Sequence, residues 1–387
     1  MVKSYLVSVV LLFVLVTACK QEQAESEENL PVDPTSDKTH YLEDYLPPSH
    51  KWGMLNMEGK VAIAATFDAL GEFSEGLCPA SDGGLWGYID QTGAWVIPPV
   101  YKGAAPFREG LGVVWQFGRG YNFINKQGHL LSADSLWESV GDFHYGRAKV
   151  RIGDYWGFLD KQGQIIIPAS YEQAEDFSGL AAKVQTNGLW GMVDTLGKII
   201  LPIKYKQIRQ LLNGWILLQD KNVWTLHGRE GPGFVQVLES ANEVTYARDN
   251  GQWMLIDKQG KQLEMVSFRP VTYLGHHRWM YVEGGKFGLC NEKGTIVTPA
   301  TFDQINSFSE GLAAFRQGYD WGYMDISGQV VILPQYGLAW DFKEGLGRVA
   351  TMKGMYFINK KATPAFDTRF HEFRDFKEGL CRFQALH

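Results

Sequence analysis

Five aspartates, Asp90, Asp160, Asp194, Asp257 and Asp325, recur at a near-constant interval, and Asn56, Asn125, Asn291 and Asn359 hold the same slot elsewhere. A carboxylate repeated in this way invites a metal-binding or acid–base reading. An Asp beside a turn glycine has a simpler use, which is to accept backbone N–H bonds within its own turn. Successive copies also fall on different units, so they need not converge on one ion. The glutamates of a second recurring block, Phe-x-Glu-Gly-Leu, take the same turn explanation. His276-His277 is the only adjacent histidine pair, and neighbouring residues of a strand face opposite sides, so the two imidazoles would not share a metal. His129, His144, His227 and His371 have no partner at ligand spacing. No Gly-rich phosphate loop, Gly-x-Ser-x-Gly or His-Glu-x-x-His motif is present. The residues therefore predict no catalytic group, no metal and no cofactor, and the protein reads as a non-enzyme.

The cysteines divide into two kinds. Cys78 and Cys381 follow Glu-Gly-Leu in a slot that elsewhere holds Gly112, Ala181, Ala313 and Gly347, and Cys290 stands in a core-like strand position. These three read as small apolar fillers. Cys19 ends a different pattern: Lys3, an apolar run over Val7–Val16, then Leu15-Val16-Thr17-Ala18-Cys19. That sequence has the parts of an export signal and resembles the lipobox of bacterial lipoproteins. The resemblance implies removal of residues 1–18 and acyl chains on Cys19. Several acyl chains hold a protein at a membrane where one would dissociate. Lys20, in place of an Asp after the cysteine, implies sorting to the outer membrane. Gln21–Asn29 is similar to export tags of surface lipoproteins, which implies a periplasmic or surface-exposed protein of the cell envelope.

Charge separates the next segment from the body. Residues 20–50 carry Glu22, Glu25, Glu27, Glu28, Asp33, Asp37, Glu43 and Asp44 against Lys20 and Lys38. This accounts for the formal net charge of -6 of the whole chain, so the body from residue 51 is near neutral. An acidic, proline-containing stretch of this kind reads as a flexible tether over 19–50. A near-neutral body lacks the long-range field of a duplex-binding protein, which argues against nucleic acid as a partner.

The elements that position all these residues are tandem repeats. Trp86-Gly87-Tyr88-Ile89-Asp90 has near copies starting at Trp52, Trp156, Trp190 and Trp321, and looser ones at Tyr121, Trp253, Phe287 and Met355. With Trp224 they make ten unit starts at a period of about 34 residues. Within a unit the code is β. Leu85–Ile89 and Ala94–Ile97 flank a tight turn at Asp90-Gln91-Thr92-Gly93 and predict a hairpin. Pro98 cannot donate to a ladder and is expected to end the second strand. The same slot holds Pro168, Pro202, Pro299 and Pro334, and Tyr101, Tyr171, Tyr205, Phe302 and Tyr336 follow, expected to pack across the unit. A second turn at Phe107-Arg108-Glu109-Gly110 leads into a further strand, giving three or four short strands per unit and almost no helix.

The Trp-Gly-Tyr-Ile-Asp, Ile-Pro-x-x-Tyr and Phe-x-Glu-Gly-Leu blocks are similar to those of the bacterial WG (KWG) repeat family over residues 51–387. Units are regular over 51–213, degenerate over 214–286 and regular again over 287–387. The resemblance implies an all-β fold that binds or scaffolds, with no common reaction and no catalytic residues to carry over. The array begins on a Trp-Gly strand at Trp52 and ends on Leu380-Cys381-Arg382-Phe383, two halves of one hairpin. If they pair, Trp52 meets Phe383 and the array is a closed, propeller-like ring without an exposed edge; otherwise it is an open superhelical solenoid.

Aromatic residues are the remaining resource for binding. Those on the repeat grid read as core. Trp115, Trp137, Trp215, Trp279 and Trp340 lie off the grid, and Trp115, Trp215 and Trp279 are the candidates for partner contact. The expected protein is a lipid-anchored, non-catalytic envelope protein whose repeat body binds a protein partner. A glycan-binding protein and an enzyme with a site assembled between repeats are the alternatives.

Overall fold

The computed structural model describes residues 51–385 apart from 117, 119, 133–135, 229–232 and 367–371. The lipobox Leu15–Cys19 and the acidic segment 19–50 lie outside these described residues. Ten small antiparallel sheets follow one another as the blades of a closed β-propeller. A complete blade runs in chain order: a two-residue strand, the strand after Phe-x-Glu-Gly-Leu, the Trp-Gly strand, and the strand carrying the proline. In the blade around Trp86 these are Ala69–Leu70, Cys78–Asp82, Leu85–Ile89 and Trp95–Tyr101. Among the described residues, the sheets over 103–125, 207–226 and 338–358 keep three strands. The fourth position is reduced there to isolated bridges such as Tyr121 with Trp137 and Trp224 with Phe234.

Blade and sequence unit are therefore half a unit out of phase. A unit starting at Trp-Gly supplies the last two strands of one blade and the first two of the next. The chain ends complete a blade between them. Lys51–Asn56 pairs antiparallel with Leu380–Ala385 in unbroken register, Gly53 facing Phe383 and Trp52 facing Gln384. Of the two architectures open to the sequence, the closed ring forms.

The half-unit offset also explains where the core sits. The residue after Trp-Gly packs on the Phe of the following Phe-x-Glu-Gly-Leu block, in the next blade. Tyr88 meets Phe107 edge-to-face at 4.7 Å, and Tyr323 meets Phe342 at 5.0 Å. The Tyr88 hydroxyl donates to the Ala105 carbonyl at 2.7 Å and that of Tyr323 to Trp340 at 2.8 Å. Hydrophobic clusters span neighbouring blades in consequence, as when Tyr88, Ile97 and Tyr101 pack with Phe107, Val114 and Ile124. Such aromatic pairs contribute about 0.5–1.5 kcal/mol each beyond their buried area.

Pro98 does not end its strand. Trp86 pairs with Tyr101 and Tyr88 with Ile97, so between these pairs one residue, Gly87, opposes three, Pro98, Pro99 and Val100. Pro98 and Pro99 lie in the resulting bulge, where a missing N–H costs no ladder bond. The bulge crosses directly over Gly87, and a Cβ built there would lie 2.3 Å from the Ile97 carbonyl oxygen. Gly322 is covered in the same way, its Cβ position 2.5 Å from the Ile332 oxygen. The second half of the Trp-Gly signature is thus a cross-strand requirement.

The Asp turns form as the spacing predicts. Asp90 Oδ1 accepts from the backbone N–H of Thr92 at 2.8 Å and of Ala94 at 3.1 Å. Asp160, Asp194, Asp257 and Asp325 repeat the two bonds. The Thr92 and Ser327 hydroxyls, with these amides, hold the Asp90 and Asp325 carboxyls below their ordinary pKa.

The glutamates do something else. Glu75, Glu109, Glu310, Glu344 and Glu378 adopt positive φ and reach out of their own turns into the equivalent turn of the next blade. Glu310 accepts from Gly345 N–H at 3.0 Å, Glu344 from Gly379 at 2.9 Å, Glu75 from Gly110 at 3.0 Å, and Glu109 from Tyr145 at 2.6 Å. Glu378 carries the chain of clasps across the junction of the termini, to the Glu75 amide at 3.0 Å. Lys126, Lys161 and Lys360 lock Glu75, Glu109 and Glu310, each bonding the glutamate's carbonyl as well as its carboxylate. The expectation that these were ordinary turn residues is corrected: they fasten blade to blade.

This fastening carries a sign with pH. Burial works to raise the Glu109 pKa, but Lys161 and the amides of Gly146 and Tyr145 outweigh it and hold the carboxyl below its usual value. A folded-state pKa below the unfolded one gives stability that is present above the ordinary carboxylate range and lost as the pH falls through the folded value. Melting temperature should therefore fall in acid, and Glu109→Gln should be less stable at neutral pH with a shallower acid limb. An unchanged acid limb in that variant would remove the clasp as a source of stability.

Candidate functional site

The frame is irregular where the signature is irregular. In the unit at Trp253 the glycine is replaced by Met254, and the fourth strand, Gln262–Val266, contains no proline. A methionine leaves no room for a bulge across it. The strand accordingly pairs flush, Trp253 with Val266, Met254 with Met265 and Leu255 with Glu264, and its one irregularity is displaced to the turn end. The other six described fourth strands all carry the wide bulge over their glycine.

A cavity of about 720 Å³ opens beside this flush pair. Its walls are the tight turn Arg248, Gly251, Gln252 and Trp253 on one side and the link Met265–Arg269 on the other. Asn250 and Gly251 adopt left-handed φ of 45° and 82°, the geometry of an Asn-Gly hairpin turn. In two other blades the corresponding link is tied down by an ion pair: Lys51 with Asp68, and Lys286 with Asp303. Asp303 also accepts from the Gly318 amide of the next turn at 2.7 Å. The equivalents here are Gln252 and Ser267, which are neutral and line the cavity.

The floor is the ring of Phe268, backed by buried aromatics. Phe268 packs on Tyr246 at 6.0 Å and on Tyr281 at 5.2 Å. Beneath them Tyr246 meets Trp279 edge-to-face at 5.3 Å. Arg248 and Arg269 are exposed at the walls. No acidic residue lines the cavity. Arg248 and Arg269 give the lining two positive charges, and a guanidinium fork suits a planar anionic group.

The three aromatic candidates do not converge. Trp279 is fully buried, its indole N–H donating to the Glu239 carbonyl at 3.0 Å. It packs beneath the rings that hold Phe268 and is not a surface contact: it pairs with Cys290 at the strand position where regular blades set a small residue, as Ala313 pairs with Met324. Trp215 is half-buried against Leu211, Leu217 and Trp224. Trp115 is 40% exposed and stacks beside Tyr121 at 6.5 Å. Trp115 lies one residue from the end of a second strand, Leu111–Gln116, and Trp215 directly precedes another, Ile216–Asp220, so the antiparallel meander puts them on opposite faces of the ring. Trp137 is buried against Phe123, and Trp340 lies under the Arg348 guanidinium at 4.3 Å.

Other reactive groups are occupied by the frame. Cys78, Cys290 and Cys381 are free and buried, and burial pushes each thiol up to about 12. Burial also raises Asp142, which Arg108 pairs at 2.8 Å, and Asp341. Neither carboxyl borders the cavity. His276 sets its ring edge-on to Phe308 at 6.2 Å. The cavity residues were within the degenerate stretch that the sequence marks. Arg248, Arg269 and Phe268 carried no signal of their own, because their significance depends on a bulge that fails to form.

A family model described as WG containing repeat matches residues 52–86, 86–114, 123–156, 156–190, 190–224, 287–319 and 321–351. The matched stretches leave out 225–286, which contains the cavity. Among solved structures the chain is similar to a eukaryotic initiation factor, at 11% identity over 87% of this chain and 98% of that one, with a TM-score of 0.46. It is also similar to BamB from Moraxella catarrhalis, at 9% identity over 82% and 95% with a TM-score of 0.31. A computationally designed protein aligns at 13% identity over 76% and 93%, with a TM-score of 0.31. A search of curated proteins finds no match.

Proposed function

Because the chain belongs to the family of WG-containing repeat proteins, with its ten units closed into a propeller, we propose that it is a non-catalytic binding scaffold of the bacterial cell envelope. In this reading acyl chains on Cys19 hold it at the outer membrane, and residues 20–50 give a reach of roughly 30 Å. The propeller then engages a protein partner. One observation carries the binding role. The recurring carboxylates are consumed by turns and blade clasps, Asp257 included, and the blade in which Met254 replaces the glycine opens a cavity beside its flush strand pair.

Two measurements test it. Metabolic labelling with a radioactive fatty acid should mark the wild-type chain and fail to mark Cys19→Ala, which should also leave the membrane fraction. Equal labelling of both would remove the anchor. Cross-linking in intact cells followed by capture of the full-length protein should yield a reproducible partner that is lost when residues 245–270 are replaced by a regular unit's sequence. Retention of the partner would move the binding surface elsewhere on the ring.

Exposed Trp115, beside half-buried Tyr121, favours a second reading, an envelope glycan stacked on an aromatic platform. Glycan-array binding that disappears in Trp115→Ala would support it, and an array without hits would count against it.

A further inference from the structure

The fourth strand of each blade is an edge, and an unpaired edge recruits foreign strands unless something blunts it. Bulges and prolines do so here. The fourth strands at 95–101, 165–171, 199–205, 296–302 and 330–336 carry both, and 61–67 carries the bulge alone. Gln262–Val266 lacks both the proline and the wide bulge, keeping only a one-residue irregularity at Leu263 by its turn end, and among the described residues no further strand pairs along it. Its side chains are exposed from Gln262 to Met265, with Leu263 at 48% and Met265 at 40%, and Val266 is half-buried. The strand runs at Val266 directly into the cavity, so the regular Glu264–Val266 end of an edge without proline or wide bulge is continuous with a two-arginine pocket.

The geometry points to an extended, acidic segment of a partner protein that adds as a fifth strand along Gln262–Val266 and places a carboxylate in the cavity with Arg248 and Arg269. This rests on the reading of the protein as a partner-binding propeller, and it names the partner's chemistry. Main-chain bonds along the edge supply affinity, and the pocket supplies selection. Charge fixes the register. Glu264 lies on the same edge, two residues from Val266, so a carboxylate opposite Glu264 is repelled while one beyond Val266 is paired. The occupant has its acid at the cavity end of the strand and a neutral or basic residue where it faces Glu264.

The probe is a terminally blocked, fluorescent nonapeptide of alternating valine and threonine with one glutamate, its affinity for the full-length protein measured by anisotropy. The comparison peptides carry glutamine in place of glutamate, or N-methyl groups on alternate amides. The glutamate peptide should bind about tenfold more tightly than the glutamine peptide, since a charge-assisted bond lost to a neutral one is about an order of magnitude. Arg248→Ala and Arg269→Ala should each shrink that difference, and the N-methylated peptide should not bind. Met265→Pro should abolish binding of both parent peptides, with the N-methylated peptide giving the same information should that variant fail to fold. Equal affinity for glutamate and glutamine peptides, or undiminished binding of the N-methylated one, overturns the proposal. A native partner captured equally by wild type and by the Arg248→Ala, Arg269→Ala double variant overturns this site while leaving the partner-binding reading intact. A peptide that still discriminates as stated, with no native partner captured by wild type, supports the site's chemistry and counts against that reading.

Discussion

Gly322→Ala is expected to destabilise the propeller by about 3 kcal/mol or more, the upper range of forced overpacking. The added Cβ would lie 2.5 Å from the Ile332 oxygen, 2.8 Å from the Pro334 nitrogen and 3.0 Å from the Leu333 carbonyl carbon. All three are backbone atoms of a bulge locked by Trp321 opposite Tyr336 and Tyr323 opposite Ile332. No side-chain rotation relieves the contact. Relief requires withdrawing the bulge, and with it Tyr336, which is buried against the next blade. Gly345→Ala is the control. Its φ is 83° and no atom lies within 4 Å of the added Cβ, so only the left-handed conformation is charged, about 1–2 kcal/mol. Denaturant unfolding followed by tryptophan fluorescence separates the two. Equal losses, or a neutral Gly322→Ala, would show that the bulge does not require the glycine.

Removing residues 380–387 should have the larger effect, a loss of more than about 5 kcal/mol, because two buried side chains go at once with a whole strand pairing. The deletion takes Cys381 and Phe383 out of the cluster they form with Leu55, Phe357, Phe373 and Phe376. It also strips Lys51–Asn56 of one of its two partners. The ring would then end in two exposed edges. The expected outcome is a larger hydrodynamic radius, rapid proteolysis near both termini and concentration-dependent association. A synthetic peptide of residues 372–387 added in trans should reverse part of this. A truncated chain that stays compact and melts where the intact one does would mean that the seam is not what closes the ring.

What the sequence disclosed, and what it withheld, divides along the range of the interactions. Turn chemistry is local, so Asp90 with Gly93 was readable from four residues, and the number of units was readable from the spacing of Trp-Gly. The complementary ends were readable too, because each was half of a phrase repeated intact elsewhere. Pro98 misled, since proline's missing N–H was weighed against a regular ladder and not against a bulge. The reason for Gly87 lay ten residues away in a strand that folds over it. The glutamate clasps were invisible for the same reason: Glu378 meets the Glu75 amide across most of the chain. Trp279 read as a contact residue because it fell off the repeat grid, yet it is buried in a strand slot that regular blades fill with a small residue such as Ala313 or Cys78.

The half-unit offset between phrase and blade bears on how such a ring changes size. A duplicated or deleted unit, cut anywhere in the array, restores the same alternation of half-blades on either side of the cut. The two ends stay complementary whatever the copy number, so closure does not have to be reinvented each time the array grows or shrinks. What must adjust is the angle between neighbouring blades, shared thinly around the circle. The same arithmetic lets units drift from the signature without opening the ring, and so lets the stretch 214–286 diverge while the regular blades keep the circle shut.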